Sequence, residues 1–208
     1  MVRKVNLCLK RIFDICFALL ALILTSPFWI IGMFGILVTM PGPVFFTQER
    51  VGSNAIDFKI LKLRTMMVNK ELEKNRDMSH DDERKTAWGN LLRRCKIDEL
   101  PQLINVLKGD MSIVGPRPTV REHVVLYDER EKHRLDVRPG MTGLAQINGN
   151  AALVWEDRIS YDLMYVEKLS ILLDLKIILK TVMIVIFGEE NFYHPLSDIK
   201  QEDSKYYW

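Results

Sequence analysis

The chain has 208 residues, a formal net charge of +2 and 48% hydrophobic residues, with a mean hydropathy near zero. That length holds one compact domain plus an anchoring segment and is short for two full domains. Acidic and basic residues are interleaved without a basic stripe, which argues against a nucleic-acid polymer as partner.

The N-terminus is basic (Arg3, Lys4, Lys10, Arg11), and from Ile15 to Met40 there follows a charge-free run of about 26 residues, where a simple membrane span needs about 20. The run is too long for a secretory signal and lacks a small-x-small cleavage site, so it reads as retained. Ser26-Pro27 falls near its middle. Pro27 has no N–H to offer the carbonyl of Ile23, and a kink is expected there. The Ser26 hydroxyl can bond back to a carbonyl one turn earlier, which makes a break tolerable in lipid. Basic residues also follow the run (Arg50, Lys59, Lys62, Arg64). With positive flanks on both sides, a helix that dips into the bilayer and returns suits the charge distribution better than a crossing. Cys8, Cys16 and Cys95 match no metal or CxxC spacing and read as free thiols.

Pro41-Gly42-Pro43 stops the helix, and Val44-Phe45-Phe46 opens a strand. The alternation of Phe58-Lys59-Ile60-Leu61-Lys62-Leu63-Arg64 predicts a second, half-exposed strand, with a hairpin through Gly52-Ser53-Asn54. Mixed charges over 68–85 predict a solvated helix and loop. A short helix is expected over 99–108, with Pro101 in its first turn and Gly109 just past its end. Further helices are expected over 119–135, 155–166 and 169–187, and 138–150 reads as a glycine-punctuated loop. The helix over 169–187 has only Asp174, Lys176 and Lys180 as charges, which fits either a helix lying in the membrane interface or a buried core helix. The chain thus divides into a re-entrant membrane helix (1–40), a catalytic domain (41–188) and a tail (189–208). The fold class is α+β, mostly helical.

The densest chemistry lies in 91–118. Asp98 sits where a helix N-cap belongs, followed by Glu99; a capping aspartate is preorganised and its ionised form is favoured by the helix dipole. Such a carboxylate is equipped to attack phosphorus. Glu99, with Asp98, could share a divalent cation with substrate phosphates. Arg93, Arg94, Lys96 and Arg117 are close enough in sequence to clamp a diphosphate. By spacing alone, Asp-Glu at a helix start is also ordinary capping grammar, and Gly115-Pro116-Arg117-Pro118 is also a stiff turn.

Taken together, Lys10-Arg11-Ile12-Phe13-Asp14, Ser26-Pro27, PGPVFFTQERVG, FKILKLRTM, IDELPQLINVLKGDMSIVGPRP, RPGMTGLAQINGN and the segment over 155–181 resemble the bacterial sugar transferase family. These are small monotopic polyprenyl-phosphate phosphoglycosyl transferases, typified by the enzyme that starts Campylobacter N-glycan assembly. The resemblance implies a two-step reaction on the cytoplasmic face of the bacterial inner membrane. Asp98 would attack a UDP-sugar and release UMP, and the phospho-sugar held on the enzyme would pass to polyprenyl (undecaprenyl) phosphate. It also implies Mg²⁺ at the Asp98-Glu99 dyad. It implies phosphate-binding roles for Arg93 and Arg117, and places Lys59, Arg138, Gln146 and Asp162 in motifs that contact substrate. Lys96 departs from the family, which commonly has Ser there, and Asn150-Ala151 replaces a frequent Arg-Asn. A metal-dependent nucleotide-sugar hydrolase and a non-catalytic membrane scaffold are the alternatives from other classes.

Overall fold

The computed structural model describes residues 2–68 and 84–188. The mixed-charge segment expected over 68–85 and the tail over 189–208 lie mostly or wholly outside them. The first element, α1 (Val2–Thr39), is longer than the apolar run and carries Pro27 inside it. The helix continues through the proline because the orphaned acceptor is satisfied: the Ser26 hydroxyl donates to the Ile23 carbonyl at 2.8 Å. That carbonyl is the one a non-proline residue at 27 would have bonded.

The expected hairpin forms. Strand β1 (Phe45–Val51) pairs antiparallel with β2 (Asp57–Leu63), setting Phe46 opposite Lys62 and Glu49 opposite Lys59. Next come α2 (Ala87–Arg94), a 3₁₀ turn over Ile97–Glu99, and α3 (Gln102–Lys108). Gly109 ends α3 with φ 97°, a left-handed conformation that costs glycine least. Strand β3 (Ser112–Val114) runs parallel to β4 (Gly140–Thr142), so the loop expected over 138–150 contains a buried strand and then a 3₁₀ turn over Gln146–Asn148.

The single helix expected over 119–135 is broken into α4 (Arg121–Val124) and a 3₁₀ turn over Glu131–Asp136. The reason is a reciprocal cap. Asp128 N donates to Glu131 Oε2 and Glu131 N donates to Asp128 Oδ1, at 3.0 and 2.7 Å, which starts a new turn where the old one would have continued. Finally α5 (Trp155–Lys168) and α6 (Ile171–Phe187) form close to their expected bounds, α6 with Ser170 as its N-cap.

The main core gathers Leu103, Val106, Met111, Val114, Leu144, Tyr161, Tyr165 and Ile177, with Ala18 of α1 inserted among them. A second cluster joins Ile36 of α1 and Met40 just past its end to Leu63 and Leu92, with Trp88 packed against it. Both halves of α1 therefore touch the same domain. In the first half, Arg11 donates to the Val106 and Leu107 carbonyls at 2.6 and 2.9 Å, serving the exposed C-terminal carbonyls of α3. Buried Lys10 pairs with Asp174 of α6 at 2.7 Å, and Asp14 Oδ1 accepts from Ser112 Oγ and Ile113 N. In the second half, Trp88 Nε1 donates to the Gly32 carbonyl at 3.2 Å.

Most of the remaining surface of α1 is apolar and uncovered; the helix is long and apolar enough to cross a bilayer. Helix α6 is neither wholly buried nor wholly exposed. Leu173, Asp174, Ile177 and Ile184 face the core, while Leu172, Leu179, Ile186 and Phe187 face outward. Asp174 is thus a buried partner of Lys10 rather than a headgroup-facing charge. The three cysteines are free and exposed.

Candidate active site

Helix α2 begins at Thr86, whose hydroxyl accepts from Gly89 N at 3.0 Å, and ends at Arg94. Its last turn carries Arg93, whose Nε donates to Thr65 Oγ1 at 2.7 Å. The chain then turns sharply. Lys96 takes a left-handed conformation (φ 56°, ψ 18°), and the 3₁₀ turn that follows directs Asp98 inward until only 7% of it is exposed. This corrects the expectation of a helix N-cap. The cap of α3 is Pro101, and Asp98 lies three residues before it, within the tight turn.

Glu99 is held from two directions. Lys62 of β2 donates to Glu99 Oε1 at 2.6 Å, and Arg117 of the Pro-Arg-Pro turn donates to the same oxygen at 3.1 Å. Glu99 Oε2 takes no hydrogen bond from the described residues. The Arg117 turn is itself fastened, because Arg134 donates to the Arg117 carbonyl at 2.9 Å and Val51 N donates to the Thr119 carbonyl at 2.9 Å.

The two neighbouring carboxyls are driven apart in acidity. Burial first, and the adjacent Glu99 charge second, push Asp98 up to about 6 against the attraction of Lys62, Arg93 and Lys96. This reverses the dipole-favoured acidity expected from a capping position. Burial would also raise Glu99, but Arg117 and Lys62 outweigh it and bring Glu99 down to about 2. At neutral pH both are mainly ionised. Glu99 is a permanent anion, and Asp98 is an unusually basic one.

The dyad sits in a cavity of about 1070 Å³ whose walls include Arg50, Lys62, Arg93, Lys96 and Arg121. Burial and the nearby Arg117 charge lower the Arg50 pKa, a sign of how closely cations are gathered here. Such a site suits a polyanion and sets a carboxylate of raised basicity beside it.

The whole of this constellation falls inside a recognised unit. Residues 5–188 match the sequence pattern described as Bacterial sugar transferase. The chain belongs to the bacterial sugar transferase family. This transferase is 42% identical over 181 residues to the "Uncharacterized sugar transferase EpsL" of Bacillus subtilis, covering 87% of this chain and 89% of that protein. It is 39% identical to the "Exopolysaccharide production protein ExoY" of Sinorhizobium fredii, covering 88% of each. It is 40% identical to a protein of Caulobacter vibrioides named UDP-glucose:undecaprenyl-phosphate glucose-1-phosphate transferase, covering 83% of this chain and 68% of that one.

Of the residues singled out from the transferase sequence, Asp98, Glu99, Arg93 and Arg117 come together. Lys59, Arg138, Gln146 and Asp162 do not line the cavity. Lys59 is exposed on the opposite face of β2 from Lys62, and its carbonyl accepts from Asn105 Nδ2. Arg138 donates to the Gly109 carbonyl and so secures the end of α3. The Gln146 side-chain amide is enclosed without a partner among the described residues. Asp162 is fully buried and pairs with Arg134 at 2.6 Å. Arg94 is exposed and also outside the cavity lining, whereas Lys96 belongs to it.

Sequence reasoning missed Lys62 as a site residue. Strand parity could have found it, since residues 59 and 62 are an odd number apart and face opposite sides. No cluster of three or more metal-ligating side chains exists among the described residues. Mg²⁺ asks for less: one or two carboxylates, with substrate oxygens and water completing its shell. Glu99, ionised and with Oε2 open, fits that demand together with Asp98.

Proposed function

We propose that the chain transfers a phospho-sugar from a UDP-sugar to undecaprenyl phosphate through a covalent phospho-sugar on Asp98. Relatives include proteins named as undecaprenyl-phosphate transferases that use UDP-glucose or UDP-N-acetylgalactosamine, which supports this donor and acceptor class. The observation that carries the mechanism is the split dyad. A buried carboxylate of raised basicity sits next to a fixed anion inside a cation-lined cavity.

In the first step an Asp98 oxygen attacks the β-phosphorus. The bond from that phosphorus to the bridging oxygen breaks, and UMP departs with the electron pair. In the second step an oxygen of the acceptor phosphate attacks the same phosphorus, breaking its bond to Asp98 and restoring the carboxylate. Arg93, Lys96 and Arg50 would bind and orient the diphosphate, while Lys62 and Arg117 keep Glu99 charged and in place. Glu99 with Asp98 would hold Mg²⁺, which when bound neutralises phosphate charge.

The same proposal places α1 as a re-entrant helix in the bacterial inner membrane, with the domain on the cytoplasmic face. Residues 10 and 36 would be about 39 Å apart along a straight helix, more than the roughly 30 Å hydrocarbon core. Both nevertheless contact one domain, which favours an entry and exit on the same side.

Intact-protein mass measurement after mixing with a panel of UDP-sugars tests the chemistry. A phospho-sugar adduct is expected on the wild type and absent from Asp98→Asn, with UMP release stopping near one equivalent until acceptor is added. Continued UMP release without acceptor would make it a hydrolase. For topology, Cys8 and Cys95 should both resist an impermeant maleimide in intact spheroplasts and both react in inverted vesicles. Labelling of Cys8 from outside would rule out the re-entrant arrangement.

A further inference from the structure

Resting on that proposed reaction, we infer that the apolar start of the β1–β2 hairpin, Phe45 and Phe46 with Pro43, Met66 and Val68, is the port for the prenyl chain of the lipid acceptor. The diphosphate of the nucleotide sugar takes the cations beside the dyad, Arg93 and Lys96.

The cavity lining combines cations, Arg50, Arg93, Lys96 and Arg121, with an apolar group, Pro43, Phe45, Phe46, Met66 and Val68. At about 1070 Å³ its volume lies at the upper end of the roughly 300–1,000 Å³ typical of a small-ligand pocket. Phe45 and Phe46 are 40% and 44% exposed, an arrangement that costs hydrophobic stabilisation unless something apolar covers the rings.

Their position in the fold says what that is. Phe46 is the cross-strand partner of Lys62, so its side chain stands on the same face as the lysine that holds Glu99. Pro43 and Val44 bring the chain straight from the end of α1 into β1, and Val44 packs against the cluster that seats Ile36 and Met40. The apolar wall is therefore continuous with the end of the lipid-compatible helix at one side and with the dyad at the other. An acceptor whose phosphate must reach Asp98 while its tail stays in lipid needs such a path.

The test separates the two half-reactions in detergent micelles, where membrane attachment does not limit the rate. Wild type and Phe45→Ser/Phe46→Ser are loaded with UDP-sugar, and the UMP burst is timed. The adduct is then discharged with undecaprenyl phosphate or with geranyl phosphate. The burst should stay within about twofold. Discharge by the long acceptor should slow by about tenfold or more, and the advantage of long over short acceptor should collapse. Unchanged discharge, equal loss with both chain lengths, or a slowed burst would each overturn the inference.

A photoreactive prenyl phosphate on the unaltered protein gives an independent reading. Label should appear in 43–50 or 65–68; label confined to α1 or α6 would mean the rings serve membrane attachment only. If the wild type shows no UMP burst, it is the transfer chemistry that fails, and the photolabel still decides where the prenyl phosphate sits.

Discussion

Arg134 Nε donates to Asp162 Oδ2 at 2.6 Å with both side chains almost wholly buried, and the same guanidinium donates to the Arg117 carbonyl and to the Tyr127 hydroxyl. Asp162 therefore reaches the site through Arg134 and the Pro-Arg-Pro turn, ending at the Arg117–Glu99 contact. Removing one partner of a buried ion pair leaves the other uncompensated, at a cost of about 3–5 kcal/mol. Asp162→Ala should lower the thermal midpoint markedly. The milder Asp162→Asn should stay folded yet lose at least about tenfold in kcat/KM, with a raised requirement for the proposed Mg²⁺ as Arg117 loosens. A folded Asp162→Asn with wild-type kinetics and Mg²⁺ dependence would reduce this chain of contacts to packing.

The proposed attack by Asp98 needs its ionised form, so the rate of UMP release should climb with pH and level off above about 6. Lys96 is one of the cations lowering that value. Lys96→Ser should shift the acidic limb of the pH–rate profile to higher pH. A limb that stays put, or moves down, would separate Lys96 from the nucleophile.

Stability should show the same group with the opposite sign. A raised folded pKa means the fold favours the protonated carboxyl. The Asp98 contribution is full below its unfolded value near 3.8 and is lost as pH rises to about 6. The neutral Asp98→Asn variant should consequently be more stable than wild type at pH 7.5, by up to about 3 kcal/mol. The difference should vanish near pH 4. Thermal melts at the two pH values measure it, and a variant less stable at pH 7.5 would contradict the burial account.

Glu99 behaves conversely. Its depressed pKa contributes stability above about 4.5 that is lost as pH falls toward about 2. Lys62→Met removes one of the two donors to Oε1 and should raise the Glu99 pKa. We expect a higher Mg²⁺ concentration for half-maximal activity and a narrower acid-stable range. Calorimetric or kinetic Mg²⁺ titration that matches wild type would remove Lys62 from the clamp.

Elements with strong local grammar were legible in the sequence. Gly109 ends α3, and the hairpin follows from strand alternation around a polar turn. Asp98 was misplaced for a local reason as well. Asp-Glu-x-Pro reads as a cap, but the left-handed Lys96 turns the chain early and leaves Pro101 at the cap position. The helix expected over 119–135 failed because Asp128 and Glu131 satisfy each other's backbone N–H groups.

What could not be read was partnership at long range. Lys62 meets Glu99 across 37 positions and Arg134 meets Asp162 across 28, and nothing in local periodicity encodes either distance. Arg138 and Asp162 sit in matched motifs of their own yet act on the scaffold. Motif membership flags a residue without saying whether it touches substrate.

Arg64 donates to the carbonyls of Met40 and Pro41, where α1 ends, at 2.6 and 2.8 Å, and it lies two residues beyond Lys62. The end of α1 and the acid clamp are thereby one mechanical linkage. With α1 held in the bilayer as proposed, tilting the helix moves Lys62, and catalytic rates in thin and thick bilayers should differ.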